Sequence, residues 1–390
     1  MGRHVLGRDT VVRTRCGTCR MPPGRARTVR AHHLPRITRG INHSPTRGAL
    51  TSSIVFSHRM SIVGGSRDPL RLPTPRVKRI TQTYGNFRRV IVATFPDRTL
   101  AEMVGPVSGV EMHEWDWRDK SPGTGVEATN LLVSDYNPTP PEASTLSFLS
   151  DLRAVQLPSA GYGGWPDVLP SAVTLCNGRS IHGQSTAEAV VAGVLAVLRR
   201  IPQSVVAQSK QTWAPLDVEQ LAGRRVVIVG AGDIGSRIDR LLGAFGCSTV
   251  MVGRTARDGV VPAAELSITA AAADVLVLAV PLNDETEGLV DASMLRRLPD
   301  GAVVVNVSRG PVVITEALTA EVATGRLRAY LDVTDPEPLP PDHPLWTLPG
   351  SLLTPHTGGG EIRWRERYAD LIRDQLTRLR DGLPLRNVVR

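Results

Sequence analysis

The sequence predicts an α/β protein made of two doubly wound parallel sheets with a cleft between them. Three observations carry that prediction. From Arg89 onward short apolar runs alternate with helical stretches. Four of those runs are continuously apolar, the pattern of strands covered on both faces. One of them leads straight into a glycine-rich turn that opens an amphipathic helix.

The elements follow in order. Residues 90–95, 129–134 and 154–157 read as strands, each ending at a Pro, Asp or Gly cluster. Asn137-Pro-Thr-Pro-Pro141 is a turn-rich break. Residues 186–198 carry Glu188 in the first turn and Val190, Val194, Val197 and Leu198 as an apolar set, which suits a buried helix. Residues 226–229, 275–280, 302–307 and 329–333 are the continuous runs. Between the first two, Ile234, Ile238, Leu241, Leu242 and Phe245 share one face at helical spacing. A last helix over about 364–380 has Tyr368, Leu371, Ile372, Leu376 and Leu379 as its stripe, with basic residues elsewhere.

Length and composition bound the function. A chain of 390 residues allows two or three domains on a prior of roughly 100–200 residues each. Apolar content of 41% and charged content of 21% exclude a disordered or collagen-like chain. The longest apolar run, near residues 189–198, is about half of a bilayer span, so no membrane role is expected. Residues 1–89 carry 18 Arg and one Lys against Asp9 and Asp68, whereas residues 90–390 hold 27 basic and 35 acidic side chains. The formal charge of +9 therefore comes entirely from the leader, and the acidic body is not expected to bind nucleic acid.

Residues 1–88 show no sustained periodicity and repeat Pro, Gly and Arg, so they read as a disordered basic leader. Three readings stay open: a mis-assigned start, with Met60 as an alternative; an organelle-targeting segment; or a basic binding tail. Cys16 and Cys19 have zinc-ligand spacing and His32 follows at a finger-like distance, but the next His is the adjacent His33 and no further pair stands at suitable spacing, so no metal site is expected. Cys176 and Cys247 complete a scattered set of four thiols that suits a reducing, cytoplasmic compartment.

Gly230-Ala-Gly232-Asp233-Ile234-Gly235 stands directly after the run 226–229. Gly230 permits the tight turn, Gly232 lets backbone approach a pyrophosphate, and Gly235 allows close helix–strand packing. The helix N-terminus then offers N–H groups and a positive dipole end to phosphate. This is a Rossmann-like dinucleotide turn, and the expected cofactor is NADP or NAD. The next strand, 248–252, ends in Gly253-Arg254-Thr-Ala-Arg257, where an NAD-selective site carries Asp or Glu. With that carboxylate absent, Arg254 can pair with a 2′-phosphate, so NADP is favoured.

Three further segments act together: Val305-Asn-Val-Ser-Arg309-Gly310, Leu331-Asp332-Val-Thr-Asp-Pro-Glu337-Pro, and Leu353-Thr-Pro-His356-Thr-Gly-Gly. With Pro281-Leu-Asn-Asp-Glu-Thr286-Glu-Gly288 and Leu157-Pro-Ser-Ala-Gly161-Tyr-Gly-Gly164, they give residues 89–390 a clear resemblance. The chain resembles the D-isomer-specific 2-hydroxyacid dehydrogenases, the family of phosphoglycerate dehydrogenases and glyoxylate/hydroxypyruvate reductases. The resemblance implies that Arg309, Glu337 and His356 are catalytic. It implies that Ala160, Gly161 and Tyr162 face the substrate carboxylate, with Arg309 and His356 also touching substrate. It further implies that Asp332 contacts the nicotinamide amide, that Val280 and Pro281 line the cofactor site, and that Thr186 sits at a cofactor phosphate.

The chemistry of these residue types agrees. Keto acid reduction needs a hydride at the carbonyl carbon and a proton at its oxygen. Imidazole is the side chain whose ordinary titration suits proton transfer near neutrality. A carboxylate at Glu337 would stabilise the imidazolium, and the guanidinium of Arg309 can fork a carboxylate and polarise a carbonyl. Two rivals remain. Formate-oxidising relatives carry an amide where Glu337 stands, and a corepressor-like nucleotide sensor would not need all three side chains. Thr334 replaces an aromatic residue common in the family, and Tyr162 adds bulk to the glycine loop. After Val389 only Arg390 follows, so the regulatory extension of some phosphoglycerate dehydrogenases, with its serine feedback, is not expected.

The expected organisation is a substrate domain of residues 89–184 plus 361–390 and a dinucleotide domain of residues 185–360. The expected activity is NAD(P)-dependent interconversion of a small 2-keto acid and its D-2-hydroxy acid, in a homodimer that uses the helix beginning near Thr186.

Overall fold

The computed structural model describes residues 90–118, 122–136 and 139–390. The readings of the leader, including Cys16, Cys19 and Met60, lie outside the described residues, as do Asn137 and Pro138 of the predicted break.

The first sheet holds five parallel strands: β1 (Ile91–Phe95), β2 (Val110–Glu114), β3 (Leu131–Val133), β4 (Ala154–Gln156) and β5 (Thr174–Cys176). Their order is β2-β1-β3-β4-β5. Helices α1 (Arg98–Val104), α2 (Ala143–Ser147) and α3 (Trp165–Val168) lie between them in sequence. Every residue of β1 is buried, which explains why Ile-Val-Ala-Thr-Phe shows no alternation. Its one polar side chain, Thr94, is satisfied by the Thr129 hydroxyl at 2.6 Å. Asp97 starts α1 by accepting from the Leu100 amide at 2.8 Å, the usual cap for otherwise unpaired N–H groups.

The chain then crosses through α4 (Gly183–Leu198) and α5 (Ile201–Ser209) into a second parallel sheet. Its strands are β6 (Arg225–Val229), β7 (Ser248–Gly253), β8 (Val260–Pro262), β9 (Val275–Leu278), β10 (Val303–Asn306), β11 (Arg328–Leu331) and β12 (Ser351–Leu353). Their order is β12-β11-β10-β9-β6-β7-β8. Helices α6 (Asp233–Ala244), α7 (Leu266–Ala270), α8 (Ala292–Arg297) and α9 (Thr315–Ala323) fall between these strands. Alternate residues of β6 feed two cores. Val226 and Ile228 pack with Val190 and Val194 of α4 and with Ile238 and Leu242 of α6. Val227 and Val229 pack with Leu276, Val304 and Leu318. Phe245, predicted on the same α6 face, is 45% exposed. It caps the helix, where the backbone has already left the helical path.

Helix α10 (Trp364–Asp381) returns to the first sheet, where Tyr368, Ile372 and Leu376 join Phe95 and Leu131. The Tyr368 hydroxyl lies 2.8 Å from both the Ser134 and the Gln156 carbonyls and shares its one proton between them. Val389 and Arg390 then pair with Leu175 of β5 at 2.9 Å, which covers an otherwise open sheet edge. No single helix among the described residues is long and apolar enough to cross a membrane.

Both strand orders contain a reversal of direction, between β1 and β3 and between β6 and β9. Crevices beyond the carboxyl ends of strands at such points are where open α/β sheets bind ligands.

Candidate active site

The glycine turn stands at the β6–β9 reversal. Gly230 has φ 115° and packs directly on the Ala279 carbonyl and Val280 amide, so no side chain fits there. Gly235 lies against the Gly230 carbonyl in the same way, so α6 begins immediately beneath the turn. Ile234 packs on the core below. Asp233, the first residue of α6, puts a carboxylate where an anion would come. That charge is held by Arg237 at 3.0 Å, with the Ser180 hydroxyl at 3.4 Å.

Of the two guanidiniums after β7, Arg257 lies nearer the turn, donating to the Ala231 carbonyl. Arg254 is 74% exposed and only loosely paired with Glu285, at 3.4 Å. Across the crevice the Val280 amide donates to the Ser308 hydroxyl at 3.0 Å, and the Thr286 hydroxyl donates to the Pro281 carbonyl at 2.6 Å. Thr186 is buried, with its hydroxyl donating to the His182 carbonyl at 3.1 Å.

Three neighbouring strands, β10, β11 and β12, deliver the remaining side chains from their carboxyl ends. Arg309 follows β10. One guanidinium nitrogen donates to the Ser308 carbonyl at 2.7 Å, and the other lies so close to Gly161 that any Cβ there would collide with it. Arg309 on the second sheet thus meets the glycine loop of the first. In that loop the Ala160 carbonyl accepts from Asn177 at 2.8 Å and the Gly161 carbonyl accepts from the Ser159 hydroxyl at 2.6 Å. Tyr162 packs back onto the first sheet's core.

Glu337 and His356 are in direct contact, with Nδ1 and Oε1 at 2.6 Å. A carboxylate accepts, so Nδ1 donates and Nε2 is left as the working nitrogen. Both side chains are about two-fifths exposed, 39% for His356 and 41% for Glu337, so solutes can reach them. His356 has φ 53°, a left-handed backbone uncommon outside glycine. Asp332 holds it there. Its carboxylate, on a residue only 4% exposed, accepts from the Thr354 hydroxyl at 2.6 Å and from the Thr357 and Gly358 amides at 2.9 and 2.8 Å. The His356 amide itself donates to the Asp332 carbonyl at 2.8 Å.

The sequence reading passed over Tyr136. Burial pushes its phenol above the usual value, while the nearby Arg309 charge lowers it and the Asp332 charge raises it. The position of Tyr136 at the edge of a proline-rich break left no periodic signal to find it by. Thr334 closes a turn onto the Pro336 carbonyl at 2.9 Å.

This arrangement combines a dinucleotide turn, a guanidinium and a carboxylate–imidazole pair at strand ends. The chain belongs to the D-isomer specific 2-hydroxyacid dehydrogenase family, a class of oxidoreductases, and residues 191–358 match that family's NAD binding domain. It is 30% identical over 245 residues to a glyoxylate reductase of Thermofilum pendens, covering 59% of this chain and 72% of that protein. It is 34% identical over 213 residues to a human glyoxylate reductase/hydroxypyruvate reductase, covering 52% and 65% respectively. The matches span about two thirds of the length of these curated relatives. Among solved structures, a D-isomer specific 2-hydroxyacid dehydrogenase of Xanthobacter autotrophicus, in complex with NADPH, superposes with a TM-score of 0.68 at 27% identity. It covers 77% of this chain and 98% of its own. An NADPH-dependent glyoxylate/hydroxypyruvate reductase of Sinorhizobium meliloti gives 0.65 at 26% identity, covering 77% and 97%.

Asp332→Ala would strand three donors that the carboxylate now satisfies. The expected loss is about 3 kcal/mol in urea unfolding; a loss below about 1 kcal/mol would show that the 354–358 segment is held by other contacts.

Proposed function

We propose that this protein reduces a small 2-keto acid to its D-2-hydroxy acid with NADPH, or less favourably NADH, and runs the reverse reaction on the alcohol. The observation that carries the reading is the Glu337–His356 pair at 2.6 Å, which joins the segments after β11 and β12 beside the β10 end that supplies Arg309. The similar human and Sinorhizobium meliloti proteins are glyoxylate/hydroxypyruvate reductases, which supports a short, polar keto acid here.

The residues of the turn fit a dinucleotide. Gly230, Gly232 and Gly235 keep the β6–α6 junction clear of side chains, and Asp233, although acidic, is neutralised by Arg237. Gly230, Gly232, Asp233, Ile234 and Gly235 would hold the pyrophosphate at the helix N-terminus. Val280 and Pro281 would line the nicotinamide side. Asp332 has a lone pair left on Oδ2 for an amide, whereas Thr186, its hydroxyl engaged, would contribute shape. The bound nucleotide supplies the hydride.

The chain's own groups do the rest. The amides of Ala160, Gly161 and Tyr162 make no hydrogen bond among the described residues, so they are free to take the substrate carboxylate alongside Arg309. Arg309 would also polarise the carbonyl. His356 gives its Nε2 proton to the developing alkoxide, while Glu337 keeps the ring in the right tautomer and offsets its charge. Glu337 is the carboxylate that a formate-oxidising relative would lack.

Further readings belong to the same proposal. Residues 89–184 plus 361–390 would form a substrate domain and residues 185–360 a dinucleotide domain, the two closing over the substrate; the packing of α10 on the first sheet supports that division. A cytoplasmic location is supported by Cys176 and Cys247, both free thiols. A homodimer is supported by α5 and the segment after it. Ile201, Val205 and Val206 are about half exposed and Trp213 is 95% exposed. Ile201 also lines an open recess of about 630 Å³ together with Leu195, Leu221 and Phe245. So much uncovered apolar surface suits a partner face.

A panel of glyoxylate, hydroxypyruvate, pyruvate and bulkier keto acids with both cofactors tests the activity. His356→Ala is expected to lower kcat by about 100-fold or more, and near-normal turnover would remove the proton-donor role. NADPH is expected to give the higher kcat/KM, and Arg254→Ala and Arg257→Ala each to cost it about tenfold. Equal values for the two cofactors in the unaltered protein would sink that preference. Light scattering should return twice the chain mass, falling to one in Trp213→Asp; a monomeric unaltered protein refutes the dimer.

A further inference from the structure

Two segments carry the chain between the sheets. One leaves β5 for α4 through residues 177–182, and the other leaves β12 for α10 through residues 354–363. His182 lies on the first and Gly359 on the second, and they are joined. His182 Nδ1 donates to the Gly359 carbonyl at 2.8 Å, and one turn on the Ser185 hydroxyl donates to the Gly358 carbonyl at 2.9 Å. Gly359 packs against the ring so closely that a Cβ there would press on it.

The surroundings make this more than an ordinary surface bond. His182 is 8% exposed, and its Nε2 is buried without a hydrogen-bond partner. Tyr136 meets the ring edge-on with centroids 5.5 Å apart, and Trp364 of α10 packs beside both, 5.8 Å from the imidazole and 5.6 Å from the Tyr136 ring. Burial holds the imidazole below its usual titration range. The Gly359 and Pro158 carbonyls and Glu361 pull the other way, and Arg367 adds to the lowering. The ring is therefore neutral near pH 7, with its proton committed to Gly359. A buried acceptor left unpaired is costly, and an apolar side chain would fill the space more favourably. What such a side chain could not do is donate to Gly359.

Gly359 is three residues from His356, and Gly358 is one of the amides bound by Asp332. The Pro158 carbonyl beside the ring begins the loop that carries Ala160 and Gly161. We propose that His182 is a positioning residue that pins the two inter-sheet segments together through Gly359 and so sets the substrate loop, residues 158–162, against Arg309 and His356. It touches neither substrate nor cofactor and acts through the two loops. The proposal rests on the keto acid reductase reading for its kinetic consequence, but not for its structural one.

The test compares His182→Asn with His182→Gln. An Asn amide can occupy the place of Nδ1 and donate to Gly359, whereas a Gln amide reaches the place of Nε2 and leaves Gly359 unpaired. The two are similar in polarity, so a general loss of packing affects both. KM for glyoxylate or hydroxypyruvate is expected to rise about tenfold in the Gln variant. It should stay within about twofold of the unaltered protein in the Asn variant, with NADPH affinity by fluorescence unchanged in both. Hydrogen exchange in the apo protein should speed up at 357–360, and at Gly178, whose amide donates to the Ser159 carbonyl of the substrate loop, in the Gln variant only. That exchange result supports the pin even if no keto acid on the panel is reduced, an outcome that counts against the reductase reading alone. Matching exchange and matching KM in the two variants overturns the role of His182.

Discussion

The arrangement of the site depends on a buried carboxylate that has to be satisfied. Asp332 ends β11 with its side chain withdrawn from water, and an unpaired charge there would be strongly unfavourable. Its donors come from the segment that follows β12: the Thr354 hydroxyl and the Thr357 and Gly358 amides. To bring all three to one carboxylate, the chain must fold back over the end of the neighbouring strand. Residue 356 then takes a left-handed backbone, and its imidazole turns toward Glu337. Tyr330 extends the network from within β11, its hydroxyl lying 3.2 Å from that of Thr354. The geometry of the acid–base pair is thus imposed by a side chain that touches neither member through its own carboxylate.

Charge distribution follows a similar logic of local compensation. Helix α10 is rich in arginine, and taken by itself it looks like a basic stripe. In the fold, Arg365 pairs with Asp97, Arg367 with Glu361, and Arg378 and Arg386 share Asp374. Such exposed pairs contribute little to stability, but they interrupt the positive stripe along α10 with carboxylates. Arg309 differs in that its guanidinium bonds a carbonyl and faces the glycine loop. It keeps its charge available at the cleft.

Legibility in the sequence tracked burial. The runs that became β1, β6, β9 and β10 are buried on both faces, so they stood out as apolar blocks. Strand β2 did not, because Val-Glu-Met-His-Glu at a sheet edge is half solvated and carries polar side chains at 111, 113 and 114. Strands β5, β8 and β12 span three residues each, too few to show a period. The glycine turn, Arg309, Glu337 and His356 were readable because each belongs to a short local pattern. Tyr136 and His182 have no such pattern around them. Arg257 was visible only as one of two guanidiniums after β7, and its contact with Ala231 depends on a hairpin-like return that the sequence does not announce.

The sequence alone determined what hydrophobic periodicity and local chemistry can express: two α/β units, a dinucleotide turn, and three reactive side chains at strand ends. Those properties are set by neighbours within a few residues. Only the tertiary structure decided which carboxylate meets the imidazole, which arginine reaches the turn, and that Asp332 and Thr186 spend their polar atoms inside the protein. Hydrogen bonds and ion pairs are short-ranged and directional. The partners in these encounters lie from 4 to 26 residues apart, and nothing in a linear chain specifies most of them until the sheets have formed.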